Sequence, residues 1–157
     1  GENINSVRNE YYISFTENGT MYYSSNKLAT QDKTNNFDIY TSVYKDGQFQ
    51  TSVSLSDSIN TGYYEADVFV APDESYLIYC SERPGGVGQG DLFISFKNQQ
   101  GEWQASKNFS AVNTAGYEFC PFVTADGKYF FFSRDGDIYW VSAEVIDDYR
   151  WPLCKSS

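Results

Sequence analysis

The sequence predicts an all-β protein of the β-propeller type, with four-stranded antiparallel blades, three blades in the chain and a short helix at the end. Two observations carry that prediction, and a third extends it. Of 157 residues, 26 are Tyr or Phe while Ala and Leu are scarce, a composition that favours strands over helices. The phrase INTGYYE (59–65) returns as VNTAGYE (112–118) and, more weakly, as INSVRNE (4–10), so the chain repeats one unit. Between the phrases, short apolar runs alternate with Asn-Gly, Asp-Gly and similar turns, the signature of consecutive hairpins.

The elements follow in register. Asn5, Asn60 and Asn113 stand 55 and 53 residues apart, and in each copy a Glu comes five residues later, at Glu10, Glu65 and Glu118. That Glu opens strand A, seen in YYISF, ADVFV and FCPFV. A turn follows (ENG, PDE, ADG), eight residues past the Glu, at Asn18, Asp73 or Asp126. Strand B is TMYYSS, SYLIYCS or KYFFFS, and strand C opens at Asp38, Asp91 or Asp137. In the first two units a tight turn, Asp46-Gly47 or Gln100-Gly101, leads to an aromatic residue, Phe49 or Trp103, on the way to strand D. In the third unit Val145, Ile146 and Tyr149 share a helical face, so a helix replaces strand D. The expected organisation is a single domain over 1–157, with blade 1 at about 4–58, blade 2 at about 59–111, blade 3 at about 112–150 and a tail at 151–157. Four-stranded units at this period read as propeller blades, since a β-sandwich gives no reason for in-register repetition.

The string Asn-Thr, Glu, Pro, Asp-Gly, Tyr, Ser-Arg and Asp-Ile-Tyr, best seen from Asn113 to Tyr139, resembles the TolB-like propeller repeat of bacterial envelope and secreted proteins, a WD-type repeat. Unit two carries it as Asn60-Thr61, Glu65, Asp73, Ser81, Arg83-Pro84-Gly85-Gly86 and Asp91. The resemblance covers about Ile4 to Arg150 and implies a propeller fold and a periplasmic or secreted setting. It does not choose among functions, because related propellers bind proteins, gate peptidases or accompany carbohydrate-active modules.

Propellers close with about four to eight blades. Three units therefore predict a homodimer in which two chains supply three blades each to a six-bladed ring. The alternative is an excerpt of a longer propeller.

Composition removes several function classes. Without histidine there is no Ser-His-Asp or Cys-His nucleophile and no imidazole chemistry. Cys80, Cys120 and Cys154 lack C-x-x-C spacing, so neither a zinc site nor a disulfide framework is encoded. A net charge of −10, from 11 basic and 21 acidic residues, disfavours nucleic acid and anionic lipid as partners. No apolar run suits membrane insertion. The expected cofactor and metal content is none.

In a propeller the D-to-A and B-to-C connections share one face. On that face lie the repeated phrase and the loops 26–37, 82–90 and 134–136, and the length variation between units is concentrated there. A ligand (protein, peptide or glycan) is therefore expected on it. Candidate ligand-binding residues are Glu10, Glu65 and Glu118 as a ring of carboxylates, with Asn60, Asn113, Arg83, Arg134 and the aromatics Tyr63, Tyr64 and Tyr117. The competing structural role pairs each Glu with Lys27, Arg83 or Arg134 and ties blade to blade. The glycine-rich 82–90 stretch reads as a flexible connector, and the Asp at 38, 91 and 137 as a turn-capping acceptor. A non-catalytic binding module, a carboxylate-based glycoside-processing enzyme and a pure scaffold all remain open at this stage. Equivalent acids in equivalent places argue against the acid/base asymmetry a glycosidase needs.

Overall fold

The structure, a computed structural model, describes residues 1–28 and 36–150; most of the expected 26–37 loop and the whole 151–157 tail, with Cys154, lie outside the described residues. Three antiparallel sheets follow one another along the chain. Blade 1 is β1 (Glu10–Phe15), β2 (Met21–Ser25), β3 (Asp38–Ser42) and β6 (Val53–Ser54), hydrogen-bonded in that order. A small hairpin, β4 (Tyr44–Lys45) and β5 (Gln48–Phe49), interrupts the β3–β6 connection. Its turn places Asp46 and Gly47 at φ 53° and 80°, as a primed two-residue turn requires.

Blade 2 is β7 (Glu65–Val70), β8 (Tyr76–Ser81), β9 (Asp91–Phe96) and β10 (Lys107–Asn108). Blade 3 has three strands, β11 (Glu118–Val123), β12 (Tyr129–Arg134) and β13 (Asp137–Ser142). The short 3₁₀ helix Ala143–Tyr149 then comes in chain order where a fourth strand would follow and packs on blade 2 through Tyr149 and Phe109, its start capped by the Ser142 hydroxyl, which accepts from the Glu144 N–H at 3.3 Å. Ile146 of this helix is buried, with Val145 and Tyr149 packed beside it, as the shared helical face required.

The core lies between blades. Tyr22 and Ile39 of blade 1 meet Val68, Val70, Leu77, Tyr79 and Phe93 of blade 2. On the other side of blade 2, Ile78, Cys80, Leu92, Ile94 and Phe96 meet Val123, Phe130 and Phe132 of blade 3. Successive residues of one strand thus serve opposite faces, which is why the B and C strands of blade 2 are apolar throughout: both of their faces are covered. The aromatic residue after the second C-side turn works between blades, Trp103 packing edge-on against Tyr22 of the preceding blade with ring centres 6.1 Å apart, whereas Phe49 packs within blade 1.

Each inner strand carries a bulge at one repeated position. The pairing register shifts between Tyr11 and Ser14, between Ala66 and Phe69, and between Phe119 and Phe122. Inside these bulges Tyr12, Asp67 and Cys120 adopt φ of 54°, 56° and 50°. No glycine or asparagine marks the positions, so sequence patterning could not show them. One compensation is visible: the Cys120 N–H donates to Asp67 Oδ2 at 3.0 Å, a bond from blade 3 to blade 2.

Candidate functional site

The repeated phrase forms the joint between blades. The Asn60 side-chain amide lies against the edge of β3, accepting from the Ile39 N–H (2.8 Å) and donating to the Ile39 carbonyl (2.9 Å), as a strand residue would. Asn113 does the same to Leu92 in β9, at 2.9 Å for both bonds. The N–H that opens each following inner strand then donates back across the joint, Glu65 to the Phe37 carbonyl (2.9 Å) and Glu118 to the Gly90 carbonyl (2.8 Å). Asn is the right residue because one planar amide offers both a donor and an acceptor.

The carboxylates of Glu65 and Glu118 are fully buried at the same joints. Glu65 accepts from the Thr61 N–H and hydroxyl (2.8 and 2.6 Å), from the Ser81 hydroxyl (2.8 Å) and from Arg83 Nη2 (3.2 Å). Glu118 accepts from the Thr114 N–H and hydroxyl (3.1 and 2.5 Å) and from Arg134 Nε (2.6 Å). The arginines continue inward: Arg83 donates to the Ile59 carbonyl (2.5 Å) and Arg134 to the Val112 carbonyl (2.7 Å), both in the connecting phrase. Each guanidinium also covers a stacked pair of rings, Tyr79 and Phe93 or Phe132 and Tyr139. Each Glu–Arg pair lies within a single blade, and the arginine's bond to the phrase is what ties that blade to the connection.

Blade 1 departs from the expected pairing. Lys27 makes no pair with Glu10 among the described contacts; its ammonium sits 3.9 Å from the Tyr40 ring centre and donates to Tyr23 Oη (3.1 Å) and to Ser52 Oγ. Lysine carries a point charge on a flexible stem, so it takes the aromatic face where arginine spans ring and carboxylate together. Glu10 accepts from Ser6 and Ser25 hydroxyls, at 2.6 and 3.0 Å. A second departure is in register. Asp38 and Asp91 pair with Ser25 and Ser81, whereas Asp137 pairs with Arg134. Arg134 therefore holds the strand position of Ser81 and reaches Glu118 from two residues nearer in register than Arg83 reaches Glu65.

The 82–90 loop meets the connecting phrase of blade 3. Gln89 N–H donates to the Gly116 carbonyl (2.9 Å), and Tyr117 Oη donates to Glu82 (2.8 Å). The 82–90 stretch, expected to be a flexible connector, is tied down. A Cβ on Gly88 would lie 2.3 Å from the Gly116 carbonyl oxygen, so the glycine permits a close approach of two backbones. Asp91 holds the loop as the expected acceptor, taking the N–H groups of Val87 and Gly88 at 2.9 to 3.2 Å. Tyr64 stands edge-on to Phe37 at 5.7 Å and Tyr117 edge-on to Phe119 at 5.9 Å, both partly buried, while Tyr63 is exposed. Burial, and then the charge of Glu65, pushes the Asp38 carboxyl up to about 6.

Sequence reading missed Asp67. It is 4 % exposed, its Oδ1 has no hydrogen-bond partner, and burial raises its pKa. It lines a shallow depression with Tyr12, Cys120 and Phe122 on the inner-strand side. Only the bulge brings these three positions together, and nothing in the local pattern signals one. Among the described residues no group of three or more His, Cys, Asp or Glu is placed to hold a metal ion. No helix there is long and apolar enough to cross a membrane.

Antiparallel blades of four, four and three strands stacked face to face, each joined to the innermost strand of the next, define a propeller-like all-β protein. Among solved structures the chain is similar to a protein assigned as TolB from Agrobacterium tumefaciens, with a TM-score of 0.56 and 16 % identity, over 82 % of this chain and 39 % of that one. TolB from Acinetobacter baumannii gives 0.49 and 14 %, over 83 % and 31 %. The chain therefore spans well under half the length of either. No family model and no curated protein matches it.

Proposed function

We propose that the chain is a non-catalytic recognition module of TolB-like propeller type, acting as half of a two-chain ring and capturing a protein, peptide or glycan on the face formed by the repeated phrase and the B-to-C loops. The observation that carries this reading is the division of labour at the joint. The scaffold residues are buried and mutually satisfied, while the 82–90 loop meets the connecting phrase of the next blade, with Tyr63 and Val87 exposed. Such a constant frame with variable loops is the usual arrangement of a binding surface. The acids that glycoside chemistry would need, Glu65 and Glu118, have their oxygens engaged by internal donors, which supports binding over turnover. A glycan and peptide array read with the unaltered chain and with the double variant Tyr63→Ser, Val87→Asp tests the proposal. Binding that disappears in the variant at an unchanged melting temperature is the expected result. Turnover on a glycoside panel would overturn it.

A further inference from the structure

The two internal joints show what a complete joint contains, and the chain carries one more half of it at each end. The N-terminal half is already in its working conformation. Ile4 and Asn5 donate their N–H groups to the Gly1 carbonyl (3.1 and 2.9 Å), as Ile59 and Asn60 do to Ser56 (2.9 and 3.0 Å) and Val112 and Asn113 do to Phe109 (3.0 and 3.2 Å). Ser6 binds the Glu10 carboxylate as Thr61 and Thr114 bind theirs. Yet Asn5 is exposed, and its amide meets no partner among the described residues.

The C-terminal half lies on β13. By register from Asp38, Asp91 and Asp137, Ile138 stands where Ile39 and Leu92 stand, and Gly136 where Phe37 and Gly90 stand. Among the described residues β13 is the edge of its sheet. Ile39 and Leu92 are both 0 % exposed, whereas Ile138 is 78 % exposed, with Trp140, Phe122 and Tyr129 open beside it. On the opposite end, Ile13 and Phe15 are exposed where their counterparts Val68 and Val70 are buried. One end thus offers the amide and an apolar strip; the other offers a free strand edge and an apolar sheet face. A contiguous face of this kind is larger than scattered surface apolar residues explain.

We infer that these ends meet in a second copy of the chain: Asn5 of one copy lies on the Ile138 backbone of the other, Glu10 N–H donates to the Gly136 carbonyl, and the blade 3 face covers Ile13 and Phe15. This rests on the two-chain ring proposed above and specifies how the ring is sealed. A twofold axis makes the contact twice, so one joint type satisfies both ends of both chains. The occupant is a second copy because the chain itself carries both complementary halves, already matched by two worked examples within it.

Sedimentation velocity of the 157-residue chain over a concentration series tests this, with variants Asn5→Asp and Ile138→Asp. Asn5→Asp removes the amide donor and sets a carboxylate against a carbonyl; Ile138→Asp places a charge in the apolar face. The unaltered chain is expected at twice 17.9 kDa, and each variant is expected to raise the dimer dissociation constant by about tenfold or more. Mixing the two variants should restore dimer, because one of the two joints in the mixed pair is built from unaltered halves. Circular dichroism confirms that each variant is folded, and Asn5→Ser and Ile138→Thr are read the same way if a charged variant is not. A monomer at every concentration overturns both the ring and the joint. A dimer indifferent to the substitutions overturns the joint alone, and weakening without rescue on mixing shows like faces meeting and overturns it too.

Discussion

Replacing Asn60 with Ala deletes an amide that makes four hydrogen bonds in a buried position, two to Ile39, one to Ser54 Oγ (3.0 Å) and one to the Leu55 carbonyl (3.1 Å). The Leu55 N–H still bonds the Ile39 carbonyl (3.0 Å), so that oxygen keeps one partner. The Ile39 N–H keeps none. An orphaned buried backbone group costs about 1 to 3 kcal/mol and each of the three further lost bonds about 1 kcal/mol, so the expected loss is about 4 to 6 kcal/mol. For a domain of this size that lowers the melting temperature by roughly 8 to 24 °C. Urea unfolding followed by tryptophan fluorescence suits the measurement, since Trp103 sits at the same joint against Tyr22. Hydrogen exchange adds a local reading: the Ile39 amide should lose protection more than the amides in the middle of β8. A loss below about 1 kcal/mol, with Ile39 still protected, would refute the view that the side-chain amide serves as a strand residue.

Three further outcomes follow from the same geometry. Arg83→Met leaves the buried Glu65 carboxylate without its countercharge and should cost about 3 to 5 kcal/mol in urea unfolding, whereas a cost under about 1 kcal/mol would show the pair to be incidental. Asp38, held up at about 6 against the usual value near 4, keeps in the folded state a proton that the unfolded chain has released between those values. Stability should therefore fall as pH rises through that window, and Asp38→Asn should reduce the fall, leaving the share that Asp67, also raised by burial, contributes; urea midpoints from pH 4 to 7 read this directly. Burial raises the Cys80 thiol well above its ordinary value and leaves it 0 % exposed, so iodoacetamide at pH 8 should label Cys80 only once the chain unfolds, as peptide mass spectrometry would show.

Much of the fold was legible because its signals are local. Strand runs, the Asp-Gly turns and the spacing of Asn to Glu each lie within a few residues, and the helix after β13 shows in three apolar positions on one face. The choice for Glu65 between ligand ring and internal pair was not legible, since a repeated carboxylate reads the same either way. Coordinates show its oxygens taken by Thr61, Ser81 and Arg83. The Lys27 expectation failed for a related reason: position in the repeat does not say whether a cation reaches the acid or the aromatic pair beneath it. Arg134 was placed with Arg83 by its order after strand B. The tight Asp135-Gly136 turn instead sets it at the register of Ser81, a difference that only strand pairing reveals.

By itself, then, the sequence determined the class of fold and its repeated units, because repetition and turn chemistry are written in short-range order. Tertiary structure alone decided what the repeated phrase is for. The Asn60 amide bonds a residue 21 positions away, the Cys120 N–H bonds a side chain 53 positions away, and two of the left-handed bulge positions are held by Tyr12 and Cys120, which do not favour them. Such features are imposed by neighbouring blades, whose packing outweighs the local cost of about 1 to 2 kcal/mol per left-handed residue.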